Sequence, residues 1–570
     1  MAGENFYREE GSAEQKMQQR AKIYVLFRYA AAAIMKLKYY MEGYYMANII
    51  GRPFSGNPMA AMQGLPGSDS KIQMNLGIIA DFLAQGKITA EAAAAMNRLV
   101  EAPQAPAAPP QPPKGEGPGG PGGPGGPGGP GGPGGRPKDA WAVAAEQGLI
   151  TEEVRQEMAQ EAQSISHGKG VVCSGGSELV FDGEDTEAFF EGETLKTVQS
   201  GYNAIKAVNG AKVHMKQVRV SKSGGSAHHE CSFTGYNAGI LAENGGKFYI
   251  EDSVIESDAV CGNNIFAHGT GAEVNLKNCL IDAYGAASDR AVYCSWGGTL
   301  NLENCELITR GLISAVVVTD TGGGFINAKN CSLKLLGRMS GCIYSTGDIR
   351  LENCRAIANE WEACVIVGNN SVRLKDCNVF SAKNQGVKVF TKEGDGATFE
   401  MEGGSFTACE GPFLFTTGNH AHFSLRRVMV SNPSGVAFMA DKLERGNDNP
   451  AMAMPVEGIN DMYVDLYEQR IIGDAICDDA HTMTISLHEG SEYTGKVNTA
   501  RTAVRTKVSL DPGTVWQVTG DSYVDVLQCS PDASELRGAA TVYYDAAAPE
   551  NAYLKGAVLA IAGGGRVMPA

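Results

Sequence analysis

The stretch "NLENCELI" (301–308) returns almost unchanged as "RLENCRAI" (350–357), with looser copies in "NLKNCLID" (275–282), "NAKNCSLK" (327–334) and "RLKDCNVF" (373–380). Aligning on the residue before the repeated cysteine gives Gln217, Asp252, Asn278, Asn304, Asn330, Asn353, Asp376, Gly403 and Arg427. The steps between them are 35, 26, 26, 26, 23, 23, 27 and 24 residues. Around these positions short β-branched runs alternate with Gly, Asn and Asp, too often interrupted for helices. A unit of this length holds two or three short strands and cannot bury its own apolar face, so neighbouring units must stack. The repeat therefore predicts an all-β solenoid, a right-handed parallel β-helix, about 40 Å long over the nine aligned rungs at about 4.8 Å each.

The columns of the alignment assign roles. Two positions before the aligned residue stand Met215, Ile250, Leu276, Leu302, Ala328, Leu351, Leu374, Met401 and Leu425, an inward apolar column. The aligned position favours Asn, Asp or Gly, which tolerate a left-handed backbone, and reads as a corner with a stacked ladder through Asn278, Asn304, Asn330 and Asn353. The next position holds Cys279, Cys305, Cys331, Cys354 and Cys377, exchanged elsewhere for Val218, Ser253, Gly404 and Val428. A ligand or disulfide position would not accept that exchange, so these thiols read as small buried filling. Cys342 and Cys364 are expected to share another small-residue column with Ala204, Gly239, Ala291 and Ala315. Between the apolar column and the corner, Lys216, Glu251, Lys277, Glu303, Lys329, Glu352, Lys375, Glu402 and Arg426 alternate in sign on every rung. Opposite charges on neighbouring strands attract and a slipped register would oppose like charges, so this face is expected to be structural rather than a ligand groove.

At 570 residues the chain exceeds one ordinary core, and its formal charge of −16 disfavours a partner held through phosphates, which requires a basic surface. The start "MAGENFYREEGSAEQ" has neither the basic nor the apolar region of an export signal. The most apolar segment, 22–50, is interrupted by Arg28, Lys36, Lys38 and Glu42 and falls short of a spanning helix, so no transmembrane segment is expected. The 14 cysteines lack CxxC pairs, read as reduced, and together with the missing signal point to the cytoplasm or to a non-classical route to the cell surface.

Residues 1–101 read as helical, and their segment 12–50 carries Tyr24, Phe27, Tyr29, Ile34, Tyr39, Tyr40, Tyr44 and Tyr45. That aromatic surface either joins copies into a homo-oligomer or packs on a hairpin at 70–100. Residues 102–139 form a Pro/Gly-rich linker in which Gly-Pro-Gly occurs six times from Gly117 to Gly134, either a flexible spacer or a collagen-like trimeriser. "QGKITAEAAAAM" (85–96) and "QGLITEEVRQEM" (147–158) flank it, each a cap glycine followed by Thr89 or Thr151 as N-cap of a helix, which places a short helical hairpin at 140–165. The β-helix is expected over 170–455, with shorter rungs and a cap over 456–570.

Glycan-cleaving chemistry on such a scaffold needs acids, with a basic residue, converging on one face. Asp289, Arg290 and Asp320 are the catalytic candidates, with Asp348 and Asp395 behind them; their offsets from the strand columns differ, and they are not expected to converge. His228 and His229 in "HHEC" (228–231) are the metal candidates, and "HAH" (420–422) is a second histidine cluster; neither matches a HExxH zinc helix. "TGGG" (321–324) has no following helix to cradle phosphate. No cofactor site is predicted.

"GCIYSTGDIRLENC", "VTDTGGG", "GVKVFTKEGDGATFEMEGGSF" and the shorter units after residue 471 resemble the right-handed parallel β-helix proteins of gut Firmicutes labelled adhesin-like or pectin-lyase-like, over roughly 200–530. The resemblance implies a bacterial, commonly secreted β-helix without transferable catalytic residues. The expected function is non-enzymatic binding of a polysaccharide or cell-surface glycan, multivalent through the N-terminal helices. The alternatives are a polysaccharide lyase or hydrolase of the pectin-lyase type, and a structural or assembly protein.

Overall fold

The computed structural model describes Ile79 and residues 82–83, 86–101, 144–145, 147–158, 176–225, 232–286, 288–390, 396–418, 420–442 and 459–570. All of them lie in one unit, Leu65–Ala570. The segment 12–50, the linker 102–139, the histidines 228–229 and Asp395 fall outside the described residues.

The chain winds as a right-handed parallel β-solenoid. One rung shows the plan: Arg290–Ser295 lies in a first sheet, Gly298–Glu303 in a second and Glu306–Thr309 in a third. Successive rungs stack these strands into parallel sheets of 12, 14 and 10 strands, and each strand pairs with its equivalent one rung away. The third sheet ends at Met429–Ser431; beyond it two four-stranded sheets continue the stack, and Leu559–Ala560 closes the end antiparallel to Arg566–Pro569. The stack does not break near 455, because Ala421–Arg426 pairs directly with Met462–Tyr467.

The corner between the second and third sheets explains the repeat. Gln217, Asp252, Asn278, Asn304, Asn330, Asn353, Asp376, Gly403 and Arg427 all have φ between 51° and 68°, so a single left-handed residue turns the chain on every rung. Each asparagine side chain donates from Nδ2 to the rung before it: Asn278 to Asp252 at 2.9 Å, Asn304 to Asn278 at 3.2 Å, Asn330 to Asn304 at 3.2 Å and Asn353 to Asn330 at 2.7 Å. One residue later the chain dips inward. Cys279, Cys305, Cys331, Cys354 and Cys377 are all buried, and each thiol donates back to the carbonyl two residues upstream at 3.2–3.3 Å.

Inside, Ile250, Leu276, Leu302, Leu351, Leu374 and Leu425 form a continuous buried column, each contributing about 1.5–3 kcal/mol relative to exposure. Ile205, Ile240, Ile265, Val292, Val317 and Ile343 face them from the first sheet, in register from rung to rung. Cys364 belongs to this second column, because it pairs with Ile343. Cys342 therefore does not share a column with Cys364, nor Ala315 with Ala291. The loops entering the first sheet differ in length between rungs, so an offset counted from the asparagine corner slips by one residue there.

Before the solenoid, Gly86 and Gly148 turn left-handed at φ 70° and 71°, and Thr89 and Thr151 cap the helices that follow through Oγ1 to Ala92 and Val154. Lys87 pairs with Glu157 at 2.7 Å, which ties the two matching segments together.

Candidate functional site

Because every strand of the second sheet is in register, its outward side chains form three straight columns. The middle column runs Phe189, His214, Tyr249, Asn275, Asn301, Asn327, Arg350, Arg373, Glu400 and Ser424. Beside it runs the alternating charge column, which begins one rung earlier with Glu191. Between the two lies a groove of about 820 Å³ that extends from Tyr249 to Ser424. Those eight rungs make it about 34 Å long at about 4.8 Å per step.

Its lining changes along its length. At the upstream end it begins at Tyr249, whose ring continues beyond the groove as a face-to-face stack with His214 and Phe189, with centroids 4.9 and 4.7 Å apart; Phe189 is 70 % exposed. Then come bonded amides: Asn301 donates to Asn275 at 2.9 Å and Asn327 to Asn301 at 3.0 Å. Farther on the charges are mutually compensated. Arg350 pairs with Asp348 at 2.6 Å, while Arg373 bridges Asp348 at 3.2 Å and Glu400 at 3.1 Å. The flanking column is compensated too, Lys277 with Glu303 at 3.9 Å and Lys329 with Glu352 at 3.1 Å. The charge alternation thus runs unbroken along the wall of this groove, on a face that sequence reasoning expected to be purely structural. A ladder of opposite charges neutralises itself and leaves the groove without a net field.

The catalytic candidates divide between two places. Asp289 is fully buried beneath the turn into the first sheet, where its Oδ2 accepts from the Gly285 amide at 2.9 Å. Burial pushes its carboxyl up to about 7. Lys222, buried in the same region, donates from Nζ to the carbonyls of Gln199, Ser223 and Gly224 at 2.7–2.8 Å, and burial pushes it down to about 8.

Arg290 and Asp320 instead lie near each other on the outer face of the first sheet, without forming an ion pair. The Arg290 guanidinium lies over the rings of Phe233 and Tyr293, at 5.5 and 5.2 Å from their centroids. Burial holds Asp320 above the usual carboxylate range, and the charge of Arg290 opposes that rise. The same surface carries Glu243, His268 and Ser295 on successive rungs, with His268 Nδ1 2.9 Å from Ser295 Oγ. Sequence reasoning missed this histidine and serine, which are brought together only by the register of the first sheet. Ser295 is buried, and among the described residues no other side-chain bond joins it to a reacting set.

The remaining polar candidates are structurally occupied. Asp348 serves the groove arginines, His420 pairs with Asp461 at 2.6 Å, and His422 stacks on Tyr463 at 4.5 Å. In "TGGG" the bare Gly322 supports the ring of Trp296, which is 56 % exposed; a Cβ there would come within 2.6 Å of the indole. Among the described residues no cluster of three or more His, Cys, Asp or Glu is arranged to hold a metal ion, and no helix is long and apolar enough to cross a membrane.

Neither the curated proteins nor the solved structures include a match to this chain. Residues 217–406, the rungs that carry the asparagine corner and most of the groove, match the family model described as right-handed beta helix region.

Proposed function

We propose that this protein is a non-catalytic binding protein that holds an extended, uncharged polysaccharide along the second sheet. The observation that carries this reading is the groove, which starts at Tyr249 where a stacked-ring ledge runs on beyond it, with amides at rung spacing through its middle and charges that are already paired. Ring faces accept the apolar faces of sugars, amides exchange hydrogen bonds with hydroxyls, and a compensated wall neither attracts nor repels a neutral chain. A groove of about 34 Å spans several sugar units, so many weak contacts add along one polymer. Self-association through the aromatic segment 12–50 would multiply such sites and raise avidity without new contacts.

The test is affinity electrophoresis of the full-length chain through gels containing individual neutral polysaccharides. Tyr249→Ala and Phe189→Ala should weaken retention about fivefold or more, whereas Val558→Ala, an exposed apolar residue of the C-terminal end, should leave it unchanged. Retention of all three variants equal to that of the parent would refute the groove assignment. The lyase or hydrolase alternative draws on the nearness of Arg290 to Asp320, and release of sugar products would establish it.

A further inference from the structure

The first sheet carries a second feature, independent of the groove. Arg290 is 4 % exposed, and among the described residues its guanidinium makes neither an ion pair nor a hydrogen bond; Nη1 is fully buried without a partner. The Tyr293 hydroxyl beside it is also buried, near Asp320 and Thr321 but without a hydrogen bond of good geometry to either. A buried charge is normally paired, and a buried hydroxyl normally bonded, because each loses its water on folding. The ring contacts with Phe233 and Tyr293 offset part of that loss for the guanidinium and leave its N–H donors unused.

We propose that Arg290 and Tyr293 form a binding site for a small organic carboxylate on the outer surface of the first sheet. The guanidinium offers two parallel N–H donors in the spacing of a carboxylate, and the phenol offers a third. Phe233 and Tyr293 fix the plane of the guanidinium, so the fork is oriented before the ligand arrives. Asp320 selects among anions. Its charge reaches Arg290, so a singly charged carboxylate meets less repulsion than a doubly charged sulfate or phosphate.

The experiment is a titration of the full-length protein with sodium acetate, at constant ionic strength set with sodium chloride, following the thermal unfolding midpoint. The expected result is a saturable rise, about 1–3 °C at ten times the half-saturating concentration, that is absent in Arg290→Leu. Tyr293→Phe keeps the ring, removes one donor and should raise the half-saturating concentration about tenfold; it decides the matter alone if Arg290→Leu does not fold. Sulfate should bind more weakly than acetate. A linear, unsaturable response of the parent protein, or the same half-saturation in Tyr293→Phe, would overturn the site; tighter binding of sulfate would overturn its assignment to carboxylates.

Discussion

Reversing one charge in the alternating column tests whether it fixes the register of the solenoid. Glu303 stands between Lys277 and Lys329 and pairs with Lys277 at 3.9 Å, both side chains being half exposed. In Glu303→Lys both rung contacts turn from attractive to repulsive. Taking about 0.5 kcal/mol for each reversal, as for exposed cross-strand pairs, the loss is about 1 kcal/mol. Lys277→Glu likewise reverses two contacts, with Glu251 and Glu303, and should cost the same. The double exchange restores attraction between 277 and 303 but leaves 251–277 and 303–329 repulsive, so it too reverses two contacts. It should therefore cost about 1 kcal/mol rather than the 2 kcal/mol of additive singles. The assay is denaturant unfolding of all four proteins at low salt and at 1 M salt, where screening should shrink every difference. Additive costs in the double variant, or single costs indifferent to salt, would refute the pairing argument.

Three further outcomes follow from buried groups and corners. Asp289 titrates near 7 in the folded chain and near 4 unfolded, so between those values the unfolded state binds fewer protons and stability falls as pH rises, by about 1.4 kcal/mol per unit. The midpoint of Asp289→Asn relative to the parent should therefore climb from pH 4.5 to 7, and a pH-independent difference would contradict this. Asn304, at φ 55°, bonds the rungs on both sides. Asn304→Ala should cost about 2 kcal/mol and Asn304→Gly about half of that, since only alanine also strains the left-handed corner; urea melts that rank glycine below alanine would overturn the explanation. The five ladder thiols should resist iodoacetamide in the folded protein and react in denaturant, as mass spectrometry of peptides would show; rapid labelling of any of them in the native chain would mean that the corner opens.

The rungs were legible because the corner needs a residue that accepts a left-handed backbone and the next position needs a small one, two demands that leave Asn-Cys in the sequence. The groove was equally legible in principle. Tyr249, Asn275, Asn301, Asn327, Arg350, Arg373, Glu400 and Ser424 all stand three residues before a corner, a constant offset that only the parallel register turns into a surface. The first sheet was harder to read, since the loops before it vary in length and no fixed offset from Asn278 or Asn304 reaches His268, Ser295 or Arg290. There the Cys342 column slipped, and the nearness of Arg290 to Asp320 was missed. Asp289 and Arg290, adjacent in sequence, part because Asp289 lies under the turn while Arg290 begins the strand.

The most direct measurement is incubation of the full-length protein with a panel of insoluble plant and host polysaccharides, recording protein depletion together with released reducing and unsaturated ends. The binding account predicts depletion by at least one neutral polymer, weakened by Tyr249→Ala, with no product formed. Product release would contradict it in favour of an enzyme, and the absence of depletion across the panel would contradict it in favour of an assembly role.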